Sequence, residues 1–121
     1  MDTFLQVFKI LSDENRLRIS MLLYERPLCV GELREILGVS QPTVSKALTK
    51  LKDLDLVYSH KIEQFNLYYI NKDKTYYKEI LDRIEHHIQD HPCLIRDRDK
   101  IADYHDRSRR FCCKVKEKEL S

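Results

Sequence analysis

A chain of 121 residues fits one domain with a possible appendage and is too short for two full ones. Its composition, 35% charged and 42% hydrophobic with two glycines and no tryptophan, excludes collagen-like, low-complexity and disordered chains and disfavours a turn-rich β sandwich. The net charge of +2 implies no polyanionic partner by itself, and both glycines, Gly31 and Gly38, flank helical patterns, which speaks against the phosphate-cradling loop of a nucleotide enzyme.

In chain order, Phe4, Leu5, Phe8 and Leu11 fall at helical spacing over 3–11. Ser12 reads as the N-cap of a second helix, with Asp13 and Glu14 in its first turn, and that helix ends before Pro27. Leu28, Cys29 and Val30 form a short apolar extended piece. A third helix runs from about Gly31 to Leu37 and stops at Gly38, a good C-terminal glycine.

The segment after Gly38 is the most informative. Ser40 is placed as an N-cap, and Pro42 falls in the first turn, where its missing N–H costs nothing. Val44, Ala47, Leu48, Leu51 and Leu54 then share one face, while Gln41, Thr43, Ser45, Lys46 and Lys50 share the other. Two helices joined by a short glycine-containing turn make a helix-turn-helix, and its second helix, about 20 Å long, suits a major groove. Strands at Leu56–Lys61 and Phe65–Ile70 flank the turn Ile62-Glu63-Gln64, so a hairpin follows directly and the predicted fold is a winged helix-turn-helix, mainly α with a small β-hairpin. Helical spacing returns from Lys74 to about Gln89 through Tyr77, Leu81, Ile84 and Ile88, and Pro92 breaks it. A last, mostly exposed helix is predicted over 93–107, followed by a weakly ordered tail. The resulting division is a winged-helix and dimerisation domain at 1–90 and a C-terminal helix with a basic, cysteine-containing tail at 91–121.

The run Leu11-Ser12-Asp13-Glu14-Asn15-Arg16-Leu17-Arg18-Ile19, then Leu28-Cys29-Val30-Gly31-Glu32-Leu33, resembles the ArsR/SmtB family of metal-responsive repressors. Residues 37–48, Leu-Gly-Val-Ser-Gln-Pro-Thr-Val-Ser-Lys-Ala-Leu, look like that family's recognition element. The likeness runs in order over roughly residues 4–90, and the tail Arg109-Arg110-Phe111-Cys112-Cys113 resembles members with C-terminal cysteines. The resemblance implies a homodimer that represses its own operon until an inducer binds. Its dimer contacts would lie around Phe4, Phe8, Tyr77, Leu81 and Ile84. The chain also departs from the family. Of the three cysteines that arsenic sensors carry at the third helix only Cys29 is present, Gly31 and Arg34 standing at the other two positions. Of the zinc sensors' set, Asp82, His86 and His87 are present, but the downstream half offers only Asp97 and Asp99. The wing carries Glu63-Gln64 where a glycine is usual.

Candidate sites follow from charge and donor chemistry. From Ser40 to Lys52 there are three lysines and no acid, a pattern suited to phosphates even on a nearly neutral domain. Ser40, Gln41, Thr43 and Ser45 are expected to reach base edges or phosphates of double-stranded operator DNA, and Lys46, Lys50 and the wing's Lys61 to pair with phosphates. Cys29 reads as a small buried hydrophobe. Cys112 and Cys113 lie within five basic residues between 107 and 116, with no acid among them. Such surroundings favour thiolates, and two soft ligands suit arsenite or antimonite as inducer; Cys93 either packs after the helix break or supplies a third sulfur across the dimer. His86, His87 and His91 beside Asp82 and Asp90 are either solvated helix-end residues or a site for zinc or nickel. Cysteine oxidation and a partner-binding adaptor without DNA are the remaining readings, and the lysines of the recognition element speak against the adaptor. No nucleophile-base set stands out, no permanent cofactor is expected, and neither a membrane span nor an export signal is read, which points to a reducing cytoplasm.

Overall fold

The computed structural model describes residues 2–87 and 92–107, with side chains for 5–87 and 92–101. Helix α1 (Asp2–Leu11) is followed by α2 (Glu14–Glu25), strand β1 (Leu28–Cys29), α3 (Val30–Leu37) and α4 (Gln41–Asp53). Strands β2 (Val57–Ile62) and β3 (Phe65–Ile70), then α5 (Thr75–His86) and α6 (Pro92–Arg107), complete the order. This is the mostly helical winged helix-turn-helix that the residue pattern predicts.

Helix α2 is the hub, burying Ile19, Ser20, Met21, Leu22 and Leu23 in succession. An unbroken buried run of this kind means that α2 is covered on several sides rather than along one stripe. Its N-cap is Asp13, whose carboxylate accepts from the Arg16 N–H at 3.1 Å. Ser12, the expected cap, instead donates to the Lys9 carbonyl at 2.6 Å and closes the end of α1. The carboxylate one residue later is the better acceptor for the orphan amides.

The hairpin gains a third strand. Leu28 pairs with Tyr68 and Cys29 with Leu67, giving an antiparallel sheet ordered β1-β3-β2. Within the hairpin Val57 faces Ile70 and Ile62 faces Phe65, so β2 lies one residue later than its sequence pattern suggests. The shift comes from Asp55, whose positive φ of 57° completes a turn that lets Leu56 N–H bond the Leu51 carbonyl. Asn71 clamps the same turn, donating from Nδ2 to the Asp55 carbonyl at 2.7 Å.

Helix α5 is shorter than its periodicity allows, and Tyr77 and Leu81 lie within the protomer core. Both were expected at a dimer contact; their complete burial removes them from any surface. Tyr77 donates to Ser20 Oγ at 2.7 Å and so ties α5 to the hub.

Helix α6 differs most from expectation. It packs on α2 and α3, burying Leu94, Asp97 and Ile101, where a mostly exposed helix was predicted. Asp97 lies inside because Arg18 meets it with two parallel bonds, Nε to Oδ2 at 2.9 Å and Nη2 to Oδ1 at 2.8 Å. That fork geometry satisfies both carboxylate oxygens away from water. No helix among the described residues is long and apolar enough to cross a membrane.

Candidate nucleic-acid interface

The turn between α3 and α4 depends on Gly38, which takes a φ of 69° and passes its N–H to the Arg34 carbonyl at 2.9 Å. Any side chain would be strained there. Ser40 then occupies the N-cap position of α4 in extended conformation, its hydroxyl lying 2.9 Å from the Thr43 hydroxyl rather than bonding a backbone N–H of the first turn. Val44, Ala47, Leu48 and Leu51 bury the inner face of α4. This anchorage leaves Gln41, Ser45, Lys46, Thr49 and Lys50 exposed together on the outer face. Thr43 is half-buried between the two faces.

The cations of that face differ in their engagements. Lys52 Nζ donates to Ser59 Oγ at 2.7 Å and fixes the wing to the recognition helix. Lys46 and Lys50 form no ion pair among the described residues. Lys61 is exposed on β2, one residue before the last of that strand. At the tip Glu63 adopts a positive φ of 55°, taking the left-handed conformation that a glycine would adopt more easily.

Two basic residues missed in the sequence join this surface. A hollow of about 260 Å³ between the start of α2 and α4 is lined by Asp13, Arg16, Thr43, Lys46 and Lys50. A second, of about 310 Å³, carries Lys9 and Arg16 beside Lys50 and Asp53. Among the described residues the Arg16 Nε has no hydrogen-bond partner, and it stands 3.7 Å from Asp13. Periodicity within α4 could not flag Lys9 or Arg16, because they reach this face from other helices. A guanidinium and three ammonium groups around two shallow hollows suit the phosphates of a nucleic-acid backbone.

The predicted ligand sites come together less well. Cys29 is buried and its N–H donates to Glu32 Oε1 at 3.0 Å. Cys93 is half-buried and packs against the core at the start of α6. Asp82 accepts from the Tyr24 hydroxyl and stands 3.7 Å from Lys78 Nζ. That bond pushes the Tyr24 pKa up to about 12. His86 and His87 are exposed, and Asp97 is taken by Arg18. Among the described residues, no three His, Cys, Asp or Glu side chains converge in a geometry able to hold a metal ion. His91, Asp90, Cys112 and Cys113 lie outside the described residues.

Comparison with known proteins agrees with this geometry. The profile of "Bacterial regulatory protein, arsR family" matches residues 13–59, from the cap of α2 into the wing. The cadmium resistance regulatory protein CadC of Listeria innocua is 46% identical over 68 residues, covering 55% of this chain and 57% of CadC, so the match spans little more than half of that relative. The uncharacterized HTH-type transcriptional regulator MJ1325 of Methanocaldococcus jannaschii is 36% identical over 81 residues, covering 66% of this chain and 89% of MJ1325. The arsenical resistance operon repressor of Escherichia coli K12 is 45% identical over 58 residues, or 47% of this chain and 50% of the repressor. Among solved structures, reduced HlyU of Vibrio cholerae superposes with a TM-score of 0.66 at 28% identity, over 70% of this chain and 87% of HlyU. These proteins are transcriptional regulators rather than enzymes.

Proposed function

Since the chain belongs to the ArsR family of winged helix-turn-helix transcriptional regulators, we propose that it is a homodimeric repressor whose α4 enters the major groove of its operator and which a soft metal or metalloid ion releases. The observation that carries the DNA reading is the outer face of α4, cationic and, among the described residues, without ion-pair partners at Lys46 and Lys50. Gln41 and Ser45 reach base edges, and Ser40 and Thr43 hold the start of the helix against the backbone. Lys46, Lys50, Lys61, Arg16 and Lys9 neutralise phosphates. A second recognition helix about 34 Å away requires a second protomer. Leu5 and Phe8, the most exposed large hydrophobic residues described, supply an α1 face for it.

The inducer is arsenite or antimonite, held by the Cys112 and Cys113 thiolates with Cys93 as third sulfur. The donor chemistry supports this: adjacent thiols among Arg109, Arg110 and Lys114 ionise readily, and soft thiolates prefer thiophilic ions. Such an ion, once bound, supplies three bonds to sulfur; the chain supplies the thiolates and their electropositive surroundings. Repressors of this kind work where thiols stay reduced, which places the protein in the cytoplasm.

The test follows fluorescence anisotropy of DNA from upstream of the gene while arsenite, antimonite, cadmium or zinc is added to the reduced protein. The Cys112→Ser, Cys113→Ser double variant should bind DNA normally and no longer release it with arsenite. Cys93→Ser should weaken the release, and Cys29→Ser should leave it intact. Normal arsenite release from the double variant, with zinc releasing the wild type, would move the sensor to His86, His87 and His91.

A further inference from the structure

The end of α2, His60 of β2, strand β3 and the turn into α5 line a half-open cleft of about 580 Å³, away from the hollows beside α4. That volume lies in the range of small-molecule pockets, roughly 300–1,000 Å³. Its wall has two parts of different chemistry. Leu23, Pro27, Leu67 and Ile70 make it apolar, and the rings of Tyr24 and Tyr69 extend that surface. Tyr69 is held edge-on against Tyr58 with ring centroids 5.7 Å apart.

Arg26, Lys72 and Lys78 supply the second part. Arg26 caps α2 in extended conformation next to Pro27. Neither Arg26 nor Lys72 forms an ion pair among the described residues, whereas Lys78 stands 3.7 Å from Asp82. Glu25 is the only acid among the described lining residues, and its carboxylate stands 3.6 Å from Arg98. The wall is therefore apolar with an excess of unpaired positive charge.

We infer that this cavity binds a small organic anion with an apolar body, an aliphatic or aromatic monocarboxylate. The apolar wall gains by excluding water from the hydrocarbon, and the carboxylate gains charge-assisted hydrogen bonds from Arg26 and Lys72. A metal cation does not suit such a wall, and neither does the chain's own stretch from 107 to 116, with five basic residues and no acid. The inference is independent of the DNA reading, since no residue of α4 takes part in the wall.

The experiment titrates octanoate, octanol, benzoate and 8-anilinonaphthalene-1-sulfonate into the full-length protein and follows amide chemical shifts. Shifts should cluster at 23–27 and 67–72, with octanol binding about tenfold more weakly than octanoate. The Arg26→Gln, Lys72→Gln double variant changes two partly or fully exposed side chains, so its fold is checked by circular dichroism, and it should lose about tenfold in octanoate affinity. Equal binding of octanol and octanoate, shifts confined to the Leu5 and Phe8 face, an unchanged affinity in the variant, or no shift with any probe at millimolar concentration would each overturn the inference.

Discussion

Helix α4 carries Lys46, Lys50 and Lys52 against the single acid Asp53, whereas α6 alternates charge from Arg96 through Asp97, Arg98 and Asp99 to Lys100. In α6 three of those five charges are engaged by neighbouring elements, while Arg96 and Asp99 are exposed and form no ion pair among the described residues. Asp97 meets Arg18, Arg98 meets Glu25 and Glu85, and Lys100 Nζ donates to the Ile36 carbonyl at 3.2 Å. Among the described residues, Lys52 is the only lysine of α4 with such an engagement, with Ser59. A charged helix whose partners are in its own fold contributes to architecture; one whose partners are missing is available to another molecule. Charge density does not distinguish the two, and pairing does.

The largest effect is expected where pairing is tightest. Asp97→Ala leaves the Arg18 guanidinium partly buried and uncompensated, and should lower unfolding stability by about 3 kcal/mol in urea titrations. The Arg18→Met, Asp97→Leu replacement should recover much of that loss, because both desolvated charges are then removed. A loss under about 0.5 kcal/mol for Asp97→Ala would make α6 a loosely attached appendage.

The reverse experiment is on α4. Lys46→Ala with Lys50→Ala should change stability by less than about 0.5 kcal/mol. The same pair should weaken binding to any duplex roughly 10- to 100-fold at physiological salt and reduce the salt slope by about two. Arg16→Ala should lower the slope by about one. Unchanged slopes in isotherms from low to moderate salt would take these residues out of the interface.

A smaller effect tests the tyrosine hydrogen bonds between α2 and α5. The hydrogen bond to Asp82 raises the Tyr24 pKa to about 12, and burial raises that of Tyr77 further. Both folded-state values lie above the ordinary value near 10, so the folded chain holds these protons more tightly than the unfolded one. Their contribution is complete below pH 10; that of Tyr24 is lost as pH rises from 10 towards 12, and that of Tyr77 over an interval that extends higher. Melting temperature followed over that interval should fall, and Tyr24→Phe should flatten the fall. An identical profile in the variant would assign the loss to other groups.

The legible parts of the fold are those with redundant local signals. In α4 the Ser40 cap, Pro42, Gly38 and the Val44-Ala47-Leu48-Leu51 stripe all point to one helix with one buried face, and the structure contains it. The two-residue strand β1 is too short for any periodicity, so its pairing with β3 exists only as a tertiary fact. Burial of α6 was hidden for another reason. Its buried hydrophobic residues Leu94 and Ile101 are seven positions apart, and the third inward residue is an acid that reads as solvent-exposed until Arg18, 79 positions earlier, is placed beside it. The polar face of α4 could be read directly, whereas Lys9 and Arg16 could not, since they join it from separate helices.

The 79-residue separation of Arg18 and Asp97 also orders events during synthesis. At about 5–20 residues per second, Asp97 is made roughly 4–16 s after Arg18. For that interval α2 can pack with α3, α4 and the sheet, but its surface beneath Leu94 and Ile101 has no cover. The nascent chain thus holds a complete recognition helix before it holds a complete core. A ribosome that stalls ahead of residue 94 leaves an apolar strip of α2 open to holdase chaperones.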